Sequence, residues 1–227
     1  MSSKNFLALC LRENRKIKSE NLAKLTWGNY SCIDRENSLV YIKPSGVDVE
    51  KMSESDIAVI DMSYNQLSGL KCSIDTPIHV EIYRAMTHIS SICHNHSTYA
   101  TSFAQANRDI QMYGTTHADM FVDTVRVINS PISIYEAGDQ HEKELGVYIA
   151  KNLTSKDSGA ILLSSHGPFT WSEKENAVDV AIALEEIAKM AYITESLGGR
   201  MKISSTISSF HWDRKHGKGR RYGQDGN

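Results

Sequence analysis

Two short apolar runs most constrain what this chain can fold into. Residues 89–93 and 160–163 each read as a buried strand, bounded by polar or turn-forming residues. Helical patterns lie around them. One helix should begin near Pro77, where Asp75 or Thr76 suits the N-cap and Pro77 the first helical position, with Ile78, Ile82, Ala85 and Met86 at helical spacing. Ser97 and Thr98 can cap another that runs through Ala106. The longest pattern covers 176–197 and puts Ala177, Ala181, Leu184, Ile187, Ala188 and Ala191 on its inner side. The first segment, to about Leu25, also reads as helix, and 40–42 and 56–62 as strands. Strands alternating with helices make an α/β or α+β domain. The periodicity leaves strand direction open. With 227 residues and no repeat or long linker, a single domain covering 1–227 is expected.

A net charge of −2 excludes a general nucleic-acid surface, which needs a basic excess, but not a local anion site. The apolar stretch Phe6 to Leu11 runs at once into Arg12, Glu13 and Arg15, too short and too charged for a membrane span or signal peptide. A cytoplasmic protein without a membrane partner is expected. Cys10, Cys32, Cys72 and Cys93 form no CxxC pair, and four free thiols are expected.

The chemistry centres on His94-Asn95-His96 at the end of the 89–93 run. Side chains two apart on a strand face the same way, so both imidazoles can grip one ion. His166 also follows an apolar run and is released by Gly167-Pro168, making it the leading third ligand. Three neutral imidazoles with open positions suit a catalytic Zn²⁺ or similar ion. Asp75 and Asp119 could ligate, transfer protons or cap helices. Trp27-Gly28-Asn29 and Pro44-Ser45-Gly46 offer backbone N–H groups that can cradle a phosphate.

These residues fall into blocks that run in order along nearly the whole chain. They are Leu25-Thr26-Trp27-Gly28-Asn29, Ile42-Lys43-Pro44-Ser45-Gly46-Val47, Asp75-Thr76-Pro77, His94-Asn95-His96-Ser97 and Gly114-Thr115-Thr116-His117-Ala118-Asp119. His166-Gly167-Pro168-Phe169, Leu184-Glu185-Glu186, Arg214-Lys215-His216-Gly217 and Tyr222-Gly223-Gln224 follow. Together they resemble the L-ribulose-5-phosphate 4-epimerases of the class II aldolase/adducin family. The resemblance implies a three-layer α/β/α fold with a central, mostly antiparallel sheet. It implies a divalent metal, Zn²⁺ or else Mn²⁺ or Co²⁺, on His94, His96 and His166, with Asp75 as a further candidate ligand. It implies a sugar-phosphate substrate against Asn29, Lys43, Ser45, Gly46 and Ser73, and Asp119 and Tyr222 as the acid/base pair. Thr115, His211 and Arg214 match supporting residues, and Glu142 a glutamate near the site. The family's tetramer, with sites between subunits, implies that the polar tail 207–227 completes an active site, since it has little reason to be ordered alone.

The chain departs from the family at Ile74, where a second serine is usual, at Asn95, where Thr is usual, and across 125–136. Aldolases of the group, such as the L-fuculose-phosphate enzymes, typically carry Glu at the Asp75 position and lack the Gly-Thr-Thr-His-Ala-Asp block. Adducin-like interaction modules lose the metal ligands, which this chain keeps.

Overall fold

The computed structural model describes residues 3–199, 201–218, 220 and 221. Its centre is an eight-stranded sheet. The strands are β1 (Asn29–Asp34), β2 (Leu39–Ile42), β3 (Ala58–Asp61), β4 (Gln66–Ser68), β5 (Ser91–His94), β6 (Val127–Ile128), β7 (Ala160–Leu163) and β8 (Gly167–Ser172). Their spatial order is β4-β3-β2-β1-β5-β8-β7-β6. Neighbours are antiparallel except β6 and β7, which are parallel. The mostly antiparallel sheet matches expectation.

Helices cover both faces. They are α1 (Ser3–Ser19), α2 (Thr76–Ala85), α3 (Thr98–Gln105), α4 (Thr115–Ala118), α5 (Ile132–Tyr135), α6 (His141–Asn152), α7 (Ala177–Ser196) and α8 (Ser205–His216). Strand alternation sorts side chains between two layers. On β7, Ile161 and Leu163 join Ile78, Ile82, Leu145 and Ile149 of α2 and α6. Ala160 and Leu162 join Phe103 of α3 and Leu184 and Ile187 of α7 on the other face. Tyr30 and Cys32 of β1 face α1. The inner face predicted for α7 is buried at every named position.

Two expectations are corrected. The first helix stops at Ser19 rather than near Leu25, because Asn21 and Leu25 adopt positive φ, which a helix cannot contain. Ser97 makes no capping bond to α3. Instead Glu185 reaches across from α7 and accepts from the N–H groups of Tyr99 and Ala100, each at 2.9 Å. The first part of the tail forms α8, which packs on α4 of the same chain. The cysteines are free, and among the described residues no helix is long and apolar enough to cross a membrane.

Candidate active site

The site grows from one end of the three central strands. Asn29, His94 and Phe169 are cross-strand partners in β1, β5 and β8. His94 ends β5 and is only 1% exposed. Its ring stacks on Phe169 at 4.3 Å, and its Nδ1–H donates to the Pro168 carbonyl at 3.0 Å. That bond leaves Nε2 as the free nitrogen. His96 lies past the strand, in the link to α3, so it reaches the site by a loop and not by the strand pleat. His166 sits in the tight turn between β7 and β8, where Ser165 takes positive φ.

Ligand atoms of His94, His96 and His166 all lie within 4.8 Å of one another. His94 Nε2 and His96 Nε2 are 3.2 Å apart. Two nitrogens on one tetrahedral Zn²⁺ would be separated by about 3.3 Å, so the spacing fits a shared ion. The three rings stand at 72–82° to one another, with centroids 4.6–5.3 Å apart. Burial pushes His94 down to about 3 and lowers His96 and His166 as well. All three are therefore neutral imidazoles at pH 7, the form a metal requires.

The backbone around them is closely fitted. A Cβ on Gly167 would lie 2.7 Å from the Asn95 carbonyl oxygen. One on Gly28, already at φ +72°, would lie 3.0 Å from the His94 carbonyl oxygen. Buried Asn95 accepts from the Ser97 N–H at 2.9 Å, fixing the strand-to-helix link. The unusual Asn thus serves the backbone.

Asp75 is corrected as a helix cap. It occupies the N-cap of α2 but makes no capping bond. Its Oδ2 instead accepts from Asn29 Nδ2 at 2.6 Å, with Ser73 Oγ at 3.4 Å. Burial raises the carboxyl, but the imidazoles of His94 and His79 and the Asn29 amide outweigh it, and the group stays below the usual carboxylate range. Asp75 shares the cavity of the three imidazoles, yet the group within 4.8 Å does not include it.

That cavity, about 370 Å³, is lined by the three histidines, Asp75, Asn29, Lys43, Ser45, Gly46, Ser73 and Glu142. The structure thus gathers these predicted residues in one place. Lys43 is buried, and its ammonium donates to the carbonyls of Thr26 at 2.9 Å and Pro44 at 3.3 Å. Burial lowers its pKa. Ile74 stands on the rim, largely exposed. Sequence reasoning missed Tyr135 and His141, which also line the cavity from a segment without any motif. A larger cavity, about 640 Å³, lies between α4 and the end of α7. Its walls are mainly apolar, and among the described residues the metal-ligating cluster lies in the smaller cavity.

Of the remaining predicted residues, Asp119, His211 and Arg214 form a second cluster that does not line the metal cavity. Asp119 follows α4, whose exposed first residue is Thr115. Its carboxylate accepts from His211 Nδ1 at 3.0 Å and from Arg214 at 3.1 Å, and its carbonyl meets His216 Nε2 at 2.9 Å. Partial burial raises the Asp119 carboxyl, but the bonds from His211 and Arg214 hold it below the ordinary range. It is an anion with an imidazole beside it, an arrangement able to pass a proton. Tyr222 lies outside the described residues.

Comparisons with known proteins agree with this geometry. Residues 9–192 match the family model "Class II Aldolase and Adducin N-terminal domain". A Mycoplasma pneumoniae protein named "Probable L-ribulose-5-phosphate 4-epimerase UlaF" is 41% identical over 210 residues, covering 88% of this chain and 86% of that protein. The structure of an L-fuculose 1-phosphate aldolase superposes with a TM-score of 0.82 at 27% identity, covering 94% of this chain and 97% of the other. The Glaciozyma antarctica L-fuculose 1-phosphate aldolase shares the fold, with a TM-score of 0.76 at 22% identity over 93% of this chain and 81% of its own. The imidazole trio at the sheet's end, the antiparallel α/β/α layers and the match across most of the sequence lead to one assignment: this chain belongs to the class II aldolase/adducin family.

Proposed function

We propose that the chain is an L-ribulose-5-phosphate 4-epimerase, interconverting L-ribulose 5-phosphate and D-xylulose 5-phosphate. The observation that carries this reading is the joining of three neutral imidazoles and a polar, lysine-bearing wall in one small cavity, in a chain 41% identical to a relative of that name. The C4 stereocentre is not next to the C2 carbonyl, so its hydrogen is not acidic. Breaking the C3–C4 bond is the easier path.

His94, His96 and His166 would hold the divalent cation, Zn²⁺ or else Mn²⁺ or Co²⁺, with Asp75 as a further candidate ligand. When bound, the cation supplies Lewis-acid polarisation of the carbonyl and stabilises the negative charge that develops beside it. Asn29, Lys43, Ser45, Gly46 and Ser73 bind the substrate and retain the phosphate-bearing fragment. A base removes the C4 hydroxyl proton, the C3–C4 electron pair moves to C3, and glycolaldehyde phosphate turns over before re-addition. The new C4 oxygen then takes a proton on the opposite face. Asp119, backed by His211 and Arg214, serves one face and Tyr222 the other.

In one chain the Asp119 cluster and the metal cavity are separate. The reading therefore has a neighbouring subunit bring Asp119, Thr115 and the tail to the metal, in a cytoplasmic homotetramer. The test is incubation of purified protein and divalent metal with L-ribulose 5-phosphate, with D-xylulose 5-phosphate as read-out. Net release of dihydroxyacetone and glycolaldehyde phosphate would instead support an aldolase, the second reading, which the likeness to L-fuculose 1-phosphate aldolase favours at the level of family.

A further inference from the structure

One wall of the metal cavity comes from α5 and the first turn of α6, which supply Tyr135, His141 and Glu142. His141 Nδ1 lies 3.0 Å from the Gly138 carbonyl and 3.2 Å from Glu142 Oε2. A proton on Nδ1 satisfies both acceptors and leaves Nε2 with a lone pair. The Tyr135 hydroxyl lies 3.0 Å from Ser130 Oγ, and the Tyr135 and His141 rings are 6.3 Å apart.

This wall is held firmly against the metal side. Helix α6 packs along α2 and meets it at Gly146. A Cβ there would lie 2.8 Å from Ile78 Cα and 3.1 Å from the Pro77 carbonyl oxygen. The first turn of α2, next to Asp75, and the first turn of α6, with His141, therefore keep a fixed relation. Ile78 and Leu145 close the cavity between them.

We propose that His141 and Tyr135 are specificity-determining residues that hydrogen-bond the hydroxyl-bearing end of the substrate, away from its phosphate. The inference rests on the sugar-phosphate reading above. The Glu142 carboxylate on this wall repels a phosphate dianion, whereas the cationic Lys43 and the hydroxyls of Ser45 and Ser73 lie on other parts of the lining. An imidazole lone pair, a phenol hydroxyl and a carboxylate together accept from and donate to neighbouring hydroxyls. A site built to pair with a hydroxyl rejects ligands that lack it.

Two non-reacting probes separate the ends of the ligand: a pentitol 5-phosphate, which carries the hydroxyls, and ethylene glycol monophosphate, which carries only the phosphate end. Titration calorimetry on the metal-loaded protein should show His141→Ala weakening the pentitol phosphate about 10-fold, and Tyr135→Phe about 3- to 5-fold, as loss of one hydrogen bond implies. Neither should shift the glycol phosphate more than about twofold. With L-ribulose 5-phosphate, KM should rise while kcat holds. Equal weakening of both probes, or of neither, overturns the assignment. Wild-type protein that binds the pentitol phosphate but converts no L-ribulose 5-phosphate overturns the epimerase reading and leaves this wall standing. Wild-type protein that binds neither probe overturns both.

Discussion

The two chemical halves of this chain are built on opposite plans. The imidazole trio sits at the end of the sheet, with His94 buried and His96 and His166 half-buried, neutral, and braced by main-chain carbonyls and closely fitted glycines. The Asp119 cluster sits between a short helix and the tail, partly exposed, charged, and braced by other side chains. The contrast suits the tasks proposed for the two halves. Chelation needs unprotonated ligands at fixed spacing, which burial provides. Proton transfer, the task proposed for Asp119, needs a charged group that can meet a substrate, which a place near the surface allows.

Breaking the first half should have the largest effect. In His94→Ala the ion should be lost and epimerisation should fall by at least about 10³-fold, since several kcal/mol of charge stabilisation disappear. Metal analysis alongside the rate checks this, and an active, metal-replete variant would undo the assignment. Asp119→Asn should cost about 10²- to 10⁴-fold with metal content unchanged. Mixing the two variants after dissociation sharpens the comparison. If the halves meet across subunits, activity should return, with about a quarter of sites complete in a random one-to-one ring. Activity no greater than the sum of the two variants would put both halves to work within one chain.

Acid provides a third test. Burial pushes His79, behind the metal side, and His117, beneath Asp119, each down to about 4. Both have folded pKa values below the unfolded value of 6.5, so the stability they confer is complete above about pH 6.5 and is lost as pH falls toward about 4. For fully buried His79 this amounts to about 3 kcal/mol. Urea midpoints of metal-free protein between pH 7 and 5 should fall accordingly. A flat profile would mean these rings are not held neutral.

The smallest effect concerns glycine. Gly167→Ala forces a Cβ against Asn95 and should cost about 1–3 kcal/mol and loosen metal binding. Gly114→Ala, beside Thr115, meets nothing within 4 Å and should be tolerated. Equal urea midpoints for the two variants would remove the claim that only the metal half is tightly fitted.

Legibility in the sequence followed the same division. The imidazole half could be read because apolar runs announce strands and histidines near their ends stand out: residues 160–163 form β7 as predicted, and ligand atoms of His94, His96 and His166 lie within 4.8 Å of one another. β1 escaped notice, since Asn29 to Asp34 mixes polar and apolar residues although the whole strand is buried. The role of Asp75 could not be separated from helix capping, because its choice of Asn29 as partner depends on a contact between distant segments. The anchoring of α8 likewise depends on Asp119, far away in sequence. His141 carries no local signal at all; only the packing of α6 on α2 brings it to the cavity.

The row formed by Asn29, His94 and Phe169 across three adjoining strands also bears on how such a protein can change over time. Gain or loss of a single residue inside β1, β5 or β8 would rotate one member of that row into the opposite layer. Substitutions can adjust this site one contact at a time, whereas length changes there remove it at a stroke. Insertions and deletions should therefore gather in connections such as 62–65, and the lengths of the three central strands should hold steady among descendants of this fold while their loops diverge.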